Sequence, residues 1–560
     1  MREWIKTYAG KLLPEKNRST VKENRKKNGL FLLSMLAFFC LSMDNKVGYG
    51  IGAVLAMAFY FVLAGQTPNL WKQATGGSRK QNLFYGFSAA GICLGGQSYF
   101  YRQTQKLMLP QYDTAFLVLS FLGAAAAFCF VYVCVAVFWK CTKKAVSGTG
   151  LLENISRGEK ITAVLLVALL SVLVIYAFSE SEAFSGTEHL HAILETEFLY
   201  DILYTSDSAA LLHENAFFAL THPQNDLRQP LFAVFSGPLL GVPYLVGRLG
   251  TETLQAVMLM VGQLVLLVAA NWMIGRMMEL RGAKLLCFLC LNSCMYSNLL
   301  FSLMMEQYIV AYFWLAFLFY QICKKNHPHP FLVMAAGGTM LTSMILLPSL
   351  SKKHPVKQFK EWFLDMVKYG LGFVGLMLVF ARFDIFTSLI SSVKGFTGYT
   401  TGALTAWDKL FQYTEFVKNC FALPVAGVNT SMKGFASWQL APVTAINWVG
   451  VGLLLLTAVS AVWNWKNKSS RMAALWVGFS VVMLFVLGWG TAENGLILYS
   501  LYFGWAFLVL LFQLVERIEE TLRIRHLTVI CGIAAAGALL AMNIPAILDM
   551  IRFAVAYYPA

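Results

Sequence analysis

The sequence predicts an all-α polytopic membrane protein with about 13 transmembrane helices and two long extracytoplasmic loops. Of the 560 residues, 58% are hydrophobic and only 13% are charged, which is far from the composition of a soluble globular protein. The mean hydropathy of +0.60 agrees with this. Apolar runs of roughly 20 residues, the length that crosses a bilayer, recur along the whole chain.

The charge distribution indicates a lipid bilayer as partner and no nucleic acid, although the formal net charge is +15. Lys and Arg lie in short segments beside apolar runs, which is typical of the cytoplasmic loops of membrane proteins. Residues 1–28 carry nine Lys or Arg against three Glu, and we interpret them as an uncleaved cytoplasmic basic tail. The predicted location is the plasma membrane, as an integral multi-pass protein with a cytoplasmic N-terminus.

Residues 29–160 form the predicted N-terminal transmembrane extension, with four crossings. These crossings are 29–43, 48–64, 84–101 and 114–138. Residues 161–381 form the predicted catalytic transmembrane core, which includes a long outer loop at 179–253. Its crossings are 161–178, 254–275, 285–303, 308–323 and 363–381.

Two further apolar runs of the core are not predicted to cross. The run 231–247 is short and contains Gly237, Pro238 and Pro243, so it is expected to be interfacial or re-entrant. The run 331–349 has basic residues at both ends, which favours a hairpin returning to the cytoplasm.

The rest of the chain comprises a second outer loop at 382–442 and the C-terminal transmembrane helices at 443–560. The four final crossings are 443–463, 473–490, 496–514 and 527–549. The first outer loop is acidic, with ten Asp or Glu against two Arg, and this fits its extracytoplasmic assignment.

Three carboxylates stand at the predicted outer ends of apolar segments. Asp207 lies in YTSDS, Glu306 lies in SLMMEQY between two crossings, and Glu493 lies in WGTAEN. A carboxylate in so apolar a setting is costly unless it is paired or used. The alternatives are a helix cap for Asp207 and a surface acid for Glu306. We predict Asp207 and Glu306 as catalytic and Glu493 as substrate-binding.

Four more residues are predicted to bind substrate: His222, Asp226, Arg228 and Tyr308. The planar guanidinium of Arg228 suits phosphate oxygens, and the alternative is a structural ion pair. His222 precedes Pro223 and is either a phosphate contact or a turn residue. A carboxylate that takes a proton from a hydroxyl, with a cation on a leaving phosphate, is what sugar transfer from a phospholipid-linked donor needs.

Three stretches resemble the GT-C superfamily of membrane glycosyltransferases, especially the protein O-mannosyltransferases and the aminoarabinose transferase of lipid A. The stretches are TSDSAALLHENAFFALTHPQNDLRQPLF (205–232), GRMMELRGAK (275–284) and SLMMEQYIVAYFWL (302–315). The resemblance implies an inverting transferase that uses a polyprenyl-phosphate sugar on the outer face. It also implies that Asp207 is a general base, that Glu306 positions a substrate and that Arg228 contacts phosphate.

The predicted acceptor is a lipid, a glycan or a protein. No cofactor is certain, and a divalent cation, Mg²⁺ or Mn²⁺, is left open. Three alternative functions stay open: a transporter or flippase, a polymerase or ligase for lipid-linked sugars, and a non-catalytic assembly protein. The position of the acids at outer helix ends, with almost no charge at the midplane, favours the transferase over transport.

Overall fold

A computed structural model describes residues 25–42, 72, 74–105, 110–185, 202–204, 208–212, 214–325, 328–346, 359–380, 382–396, 400, 404–430, 436–491 and 495–560. Over these residues the fold is helical, with one short hairpin of two strands. Six helices in this part of the chain are long and apolar enough to cross a membrane. They are Asp113–Val146, Arg157–Glu180, Glu252–Met277, Lys468–Val486, Leu496–Leu522 and Leu527–Tyr557.

Helices occupy the predicted crossings except 48–64, which lies outside the described residues, and the crossing 285–303 is divided between the two helices Gly282–Cys294 and Tyr296–Phe301. A longer helix with a more polar composition is Arg79–Gln105, and the helix Phe359–Val379 contains the apolar stretch Met366–Val379. The shorter apolar helices are Gly29–Ser42, Phe232–Gly247, Gly282–Cys294, Tyr308–Lys324, Pro330–Thr339, Met366–Val379 and Trp448–Trp463. The prediction of a helical chain with apolar helices of membrane length is therefore confirmed, whereas the number of 13 crossings stays a prediction.

The helices differ in how deeply they lie in the bundle. In the Leu496–Leu522 segment 89% of the most apolar window is buried, against 22% for Arg157–Glu180 and for Leu527–Tyr557. The exposed faces of the outer helices are apolar; Val164 and Leu169, for example, are each 67% exposed. Such faces are typical of helices that contact lipid.

Contacts between helix ends bring the basic segments together at one end of the bundle. The buried carboxylate of Glu159 pairs with Arg276 at 2.8 Å. The ammonium of Lys325 donates to the carbonyl oxygen of Ser147 at 3.0 Å. Both contacts join segments that the charge pattern predicts to be cytoplasmic.

Segments of the two predicted outer loops meet at the opposite end of the bundle. The backbone N–H of Tyr204 donates to the carbonyl oxygen of Trp438 at 2.7 Å, and the N–H of Trp438 donates to that of Ile202, also at 2.7 Å. The hydroxyl of Tyr204 lies 2.7 Å from that of Tyr296. The first loop is thus connected both to the second loop and to the short helix Tyr296–Phe301.

The second predicted loop has more regular structure than the sequence analysis expected. It contains the helix Ala406–Phe421, which begins with a capping box at Thr405. It also contains the antiparallel strands Ala426–Thr430 and Ala436–Leu440. The buried residues of the helix recur at helical spacing, as Tyr413, Phe416, Val417 and Cys420. An amphipathic helix of this kind produces no continuous apolar run, and a search for crossings therefore passes over it.

The run expected to be interfacial or re-entrant forms the helix Phe232–Gly247, which packs inside the bundle against Arg79–Gln105. The hydroxyl of Ser88 donates to the carbonyl oxygen of Pro238 at 3.2 Å. Gly91 faces Gly241 so closely that a Cβ on Gly91 would lie 1.8 Å from the Gly241 carbonyl oxygen. At roughly 24 Å for 16 residues, this helix is shorter than a hydrocarbon core.

Candidate functional site

Two short helices meet beside Arg228. The C-terminal end of the helix Pro330–Thr339 contacts the loop that precedes the helix Phe232–Gly247. The N–H of Leu341 donates to the carbonyl oxygen of Arg228 at 2.9 Å, and the N–H of Leu231 donates to that of Gly338 at 3.0 Å. These hydrogen bonds hold a polar loop among apolar helices, where unpaired backbone groups would be costly.

The carboxylate of Asp226 makes two hydrogen bonds to Arg228 and so orients its side chain. One carboxylate oxygen accepts from the backbone N–H of Arg228 and the other accepts from its Nε, each at 2.7 Å. Both side chains are partly exposed, Arg228 by 30% and Asp226 by 27%. The ion pair that the sequence analysis kept as an alternative for Arg228 is therefore present, and Arg228 also lines a cavity.

His222 belongs to the support of this loop. Its ring is 2% exposed, and its Nδ1 accepts from the N–H of Gln224 at 3.1 Å. The proton is therefore assigned to Nε2, which lies 2.6 Å from a carboxylate oxygen of Glu214. His222 is not on the cavity wall, and its place is that of the turn residue that the sequence left open.

The most buried arginine near the loop is Arg382, which the sequence analysis did not select. Its side chain is 1% exposed. Its guanidinium donates to the carbonyl oxygens of Pro230 at 2.7 Å and of Asn225 at 2.5 Å. It also makes two hydrogen bonds to the carboxylate of Asp384, at 2.9 and 2.6 Å. Arg382 thus holds both sides of the segment that presents Arg228.

Glu306 lies fully buried just before the helix Tyr308–Lys324. The hydroxyl of Ser208 donates to the carbonyl oxygen of Met305 at 3.0 Å, which ties the first outer loop to this position. Asp207 precedes Ser208 in the sequence, but Asp207 itself lies outside the described residues, as does Glu493.

The structure brings Arg228 and Tyr308 together. Arg228, Tyr308, Tyr499 and Tyr502 line the same cavity, and Glu306 lies two residues before Tyr308. The Tyr308 ring lies 4.9 Å from that of Tyr502 and 6.2 Å from that of Tyr499, centroid to centroid. A guanidinium and three tyrosines from separate parts of the chain therefore share one site.

A cavity of about 210 Å³ opens at this site. Its lining is mostly apolar and aromatic, and includes Arg228, Tyr308, Tyr502, Trp489, Gln229 and Gln307. The last two side chains are 6% and 2% exposed. Their amide oxygens have no hydrogen-bond partner among the described residues. Buried acceptors of this kind normally bind water or a ligand, and sequence reasoning missed them because Gln carries no charge.

The described residues contain no group of three or more His, Cys, Asp or Glu placed to hold a metal ion. A comparison of the chain with protein-family models, with curated proteins and with solved structures found no match. The functional argument therefore rests on the geometry of this site.

Proposed function

We propose that the chain is an inverting glycosyltransferase of the GT-C superfamily, located in the plasma membrane. It would move a sugar from a polyprenyl-phosphate donor to a lipid, glycan or protein acceptor on the extracytoplasmic face. One observation carries the proposal: Arg228 and Tyr308 line one cavity, and the fully buried carboxylate of Glu306 belongs to the residue directly before Gln307, which lines the same cavity.

In the proposed reaction a carboxylate accepts the proton of an acceptor hydroxyl. The acceptor oxygen then forms a bond to the anomeric carbon while the bond from that carbon to the phosphate oxygen breaks. The electron pair leaves with polyprenyl phosphate, and the guanidinium of Arg228 balances the negative charge on the departing oxygen. Attack from the face opposite the phosphate inverts the anomeric carbon.

Asp207 is the proposed base, with Glu306 positioning the acceptor. The pairing is supported by Ser208, the residue after Asp207 in the sequence, whose hydroxyl donates to the carbonyl oxygen of Met305, the residue before Glu306. If Asp207 is not the base, Glu306 is the remaining candidate, since it is the carboxylate closest in sequence to Tyr308 on the cavity wall.

Recognition of a sugar is supported by the neutral part of the cavity. The amide oxygens of Gln229 and Gln307 are buried acceptors without a protein partner in the described residues. Sugar hydroxyls are donors that would satisfy them. The rings of Trp489 and Tyr499 are held together by a 2.8 Å hydrogen bond and offer a rigid apolar surface to the ring carbons.

The test is turnover of a lipid-linked sugar by the purified chain in proteoliposomes. The probe is a polyprenyl-phosphate hexose or pentose whose polyprenyl chain carries the label. The readout is the amount of labelled polyprenyl phosphate released. Wild type is expected to release it, and Glu306→Gln to lose at least about a hundredfold in rate. The matched control is Glu252→Gln, which changes a half-exposed carboxylate. Equal rates for wild type and Glu306→Gln would contradict the proposal.

A second candidate is transport of a lipid-linked sugar across the membrane. The observation that favours it is the meeting of two short helices, Phe232–Gly247 and Pro330–Thr339, beside Arg228. Broken helices that carry a charged group inside the bundle are typical of transporters. Movement of the labelled donor between leaflets without release of polyprenyl phosphate would identify this function instead.

A further inference from the structure

One face of the helix Arg79–Gln105 contacts the chain on both sides of Arg228. This helix belongs to the predicted N-terminal extension, residues 29–160. The positions that make the contacts recur every three or four residues, as Ser88, Gly91, Gly95 and Tyr99. At about 100° per residue they lie within about 80° of one another around the helix axis. One element therefore supports the segments that enter and leave the candidate site.

The first two positions hold the short helix Phe232–Gly247, which begins after Arg228. A Cβ added to Gly91 would overlap the carbonyl oxygen of Gly241, and a Cβ added to Gly241 would overlap that of Ser88. Both neighbours are backbone atoms, which no side-chain rotation can move aside. Small residues that let two backbones approach are typical of tightly packed membrane helices. The two helices can therefore keep this separation only while both positions are glycine.

The other two positions support the loop before Arg228. A Cβ added to Gly95 would lie 2.6 Å from Cγ and 3.0 Å from Cβ of Phe218, so the Phe218 side chain rests directly on the helix. The ring of Tyr99 lies 6.0 Å from that of His222, centroid to centroid, edge to face. Edge-to-face ring pairs are attractive. The loop and the short helix thus rest on the same face of the extension.

A second helix of the extension adds a polar contact to the loop. The helix Arg25–Ser42 ends at Ser42, whose carbonyl oxygen accepts from the hydroxyl of Thr221 at 3.0 Å. The last carbonyl groups of a helix have no partner within it, so the hydroxyl fills a position that the helix leaves open. Thr221 stands directly before His222.

Arg228 lies between the two supported segments. It stands six residues after His222 and four residues before Phe232, and the carboxylate of Asp226 orients its side chain. A movement of either segment would shift the guanidinium relative to Tyr502, which lines the same cavity from another helix. A misplacement of about 1 Å near a reacting group can cost about a hundredfold in rate.

We propose that the N-terminal extension positions Arg228 for the phosphate of the donor, and that Gly91 and Gly95 are its positioning residues. The inference rests on the proposed function, because that function makes phosphate the ligand of Arg228. The stretches that resemble the GT-C superfamily begin at residue 205. The proposal therefore gives a part of the chain outside that resemblance a role in the reaction.

The test compares Gly91→Ala with Gly86→Ala on the same helix, where nothing in the described structure lies within 4 Å of the added Cβ. Isothermal titration of the purified full chain with polyprenyl phosphate measures binding, and thermal unfolding shows whether each variant is folded. Gly91→Ala is expected to bind at least about tenfold more weakly than wild type, and Gly86→Ala as wild type does. Wild-type affinity in a folded Gly91→Ala variant would overturn the proposal.

A double variant separates positioning from a general loss of stability. If Gly91 acts through Arg228, then adding Gly91→Ala to Arg228→Gln causes no further loss, and the double variant binds as Arg228→Gln alone does. Losses that multiply in the double variant would show that the extension does not act through Arg228, and would also overturn the proposal.

Gly95→Ala tests the same claim if Gly91→Ala does not fold, because its neighbour is a side chain that can give way. Its affinity is expected to lie between those of Gly86→Ala and Gly91→Ala, and wild-type affinity would contradict the inference. A wild type that does not bind polyprenyl phosphate would contradict the proposed function and this inference together. Binding that is lost in Arg228→Gln but kept in both glycine variants would contradict this inference alone.

Discussion

The guanidinium of Arg382 donates to the carbonyl oxygen of Pro230 at 2.7 Å, across 152 residues of sequence. Arg382 begins the second predicted outer loop, and Pro230 ends the polar segment of the first. The contact fixes the end of the loop that carries Arg228, and the same guanidinium holds Asn225 at the other side. The position of a charge in the cavity thus depends on a residue outside it.

Arg382→Gln is expected to lower the free energy of unfolding by about 3 kcal/mol, because it leaves Asp384 and two carbonyl groups without their partner. Chemical unfolding in mixed micelles measures this change. The matched control is Arg552→Gln, whose ion pair with Asp549 is exposed by 76% and 55%, and whose loss should cost less than about 1 kcal/mol. Equal effects of the two substitutions would show that Arg382 does not hold the loop.

Gly338→Ala is expected to destabilise the protein by about 2 kcal/mol through overpacking. The added Cβ would lie 2.9 Å from the side chains of both Leu231 and Phe235. Gly375→Ala is the comparison, because nothing lies within 4 Å of its new Cβ, and helix propensity should make it stabilising by up to about 1 kcal/mol. Thermal unfolding in detergent measures whether each substitution lowers or raises stability. A Gly338→Ala variant as stable as wild type would contradict the close contact of Gly338 with Leu231 and Phe235.

His329 is expected to make stability depend on pH. Desolvation lowers the pKa of His329, and the charges of Lys144 and Lys325 lower it further. Its Nδ1 accepts from the N–H of Phe331 at 3.2 Å. The unfolded chain therefore binds the proton more readily, so stability is full above about pH 6.5 and falls as the pH drops below that value.

His329→Asn tests this dependence, because Asn keeps a capping acceptor and does not titrate. Unfolding midpoints measured between about pH 5 and 8 should fall towards acid more steeply for wild type than for His329→Asn. Parallel curves for the two proteins would rule out the contribution of His329.

Arg228→Gln is expected to weaken binding of polyprenyl phosphate by at least about tenfold, or roughly 1.4 kcal/mol. Arg228→Lys should recover part of the affinity, because it keeps the charge but not the planar pair of donors. Isothermal titration of the purified chain measures this. The control is Arg248→Gln, at an exposed position directly after the helix Phe232–Gly247. This variant should bind polyprenyl phosphate as wild type does. Unchanged affinity in Arg228→Gln would remove Arg228 from the donor site.

Much of the helical fold follows from the sequence because lipid allows few solutions. A spanning segment must satisfy its own backbone and present apolar side chains, so the runs that contain Val164 or Leu508 are readable without knowing their neighbours. The contacts of Glu159 with Arg276 and of Lys325 with Ser147 also agree with the grouping of segment ends by charge. Local composition carries this information.

The residues of the cavity wall were less predictable, because they come from segments that are far apart in the sequence. Glu306, Arg228 and Tyr308 were selected as ionisable or aromatic groups in an apolar setting; Arg228 and Tyr308 line one cavity, and Glu306 lies two residues before Tyr308. Gln229 and Gln307 are neutral, and nothing in their local sequence shows that their amide oxygens are buried. The role of Arg382 appears only once Asn225 and Pro230 are placed against it.

Consumption of a short-chain polyprenyl-phosphate sugar, supplied only from the extracytoplasmic side of sealed vesicles, tests the role of Glu306 most directly. Wild type should consume the donor from that side, and Glu306→Gln should do so at least about a hundredfold more slowly, with both present at equal amounts in the membrane. Consumption at the wild-type rate by Glu306→Gln, or by wild type only from the cytoplasmic side, would contradict the proposed site.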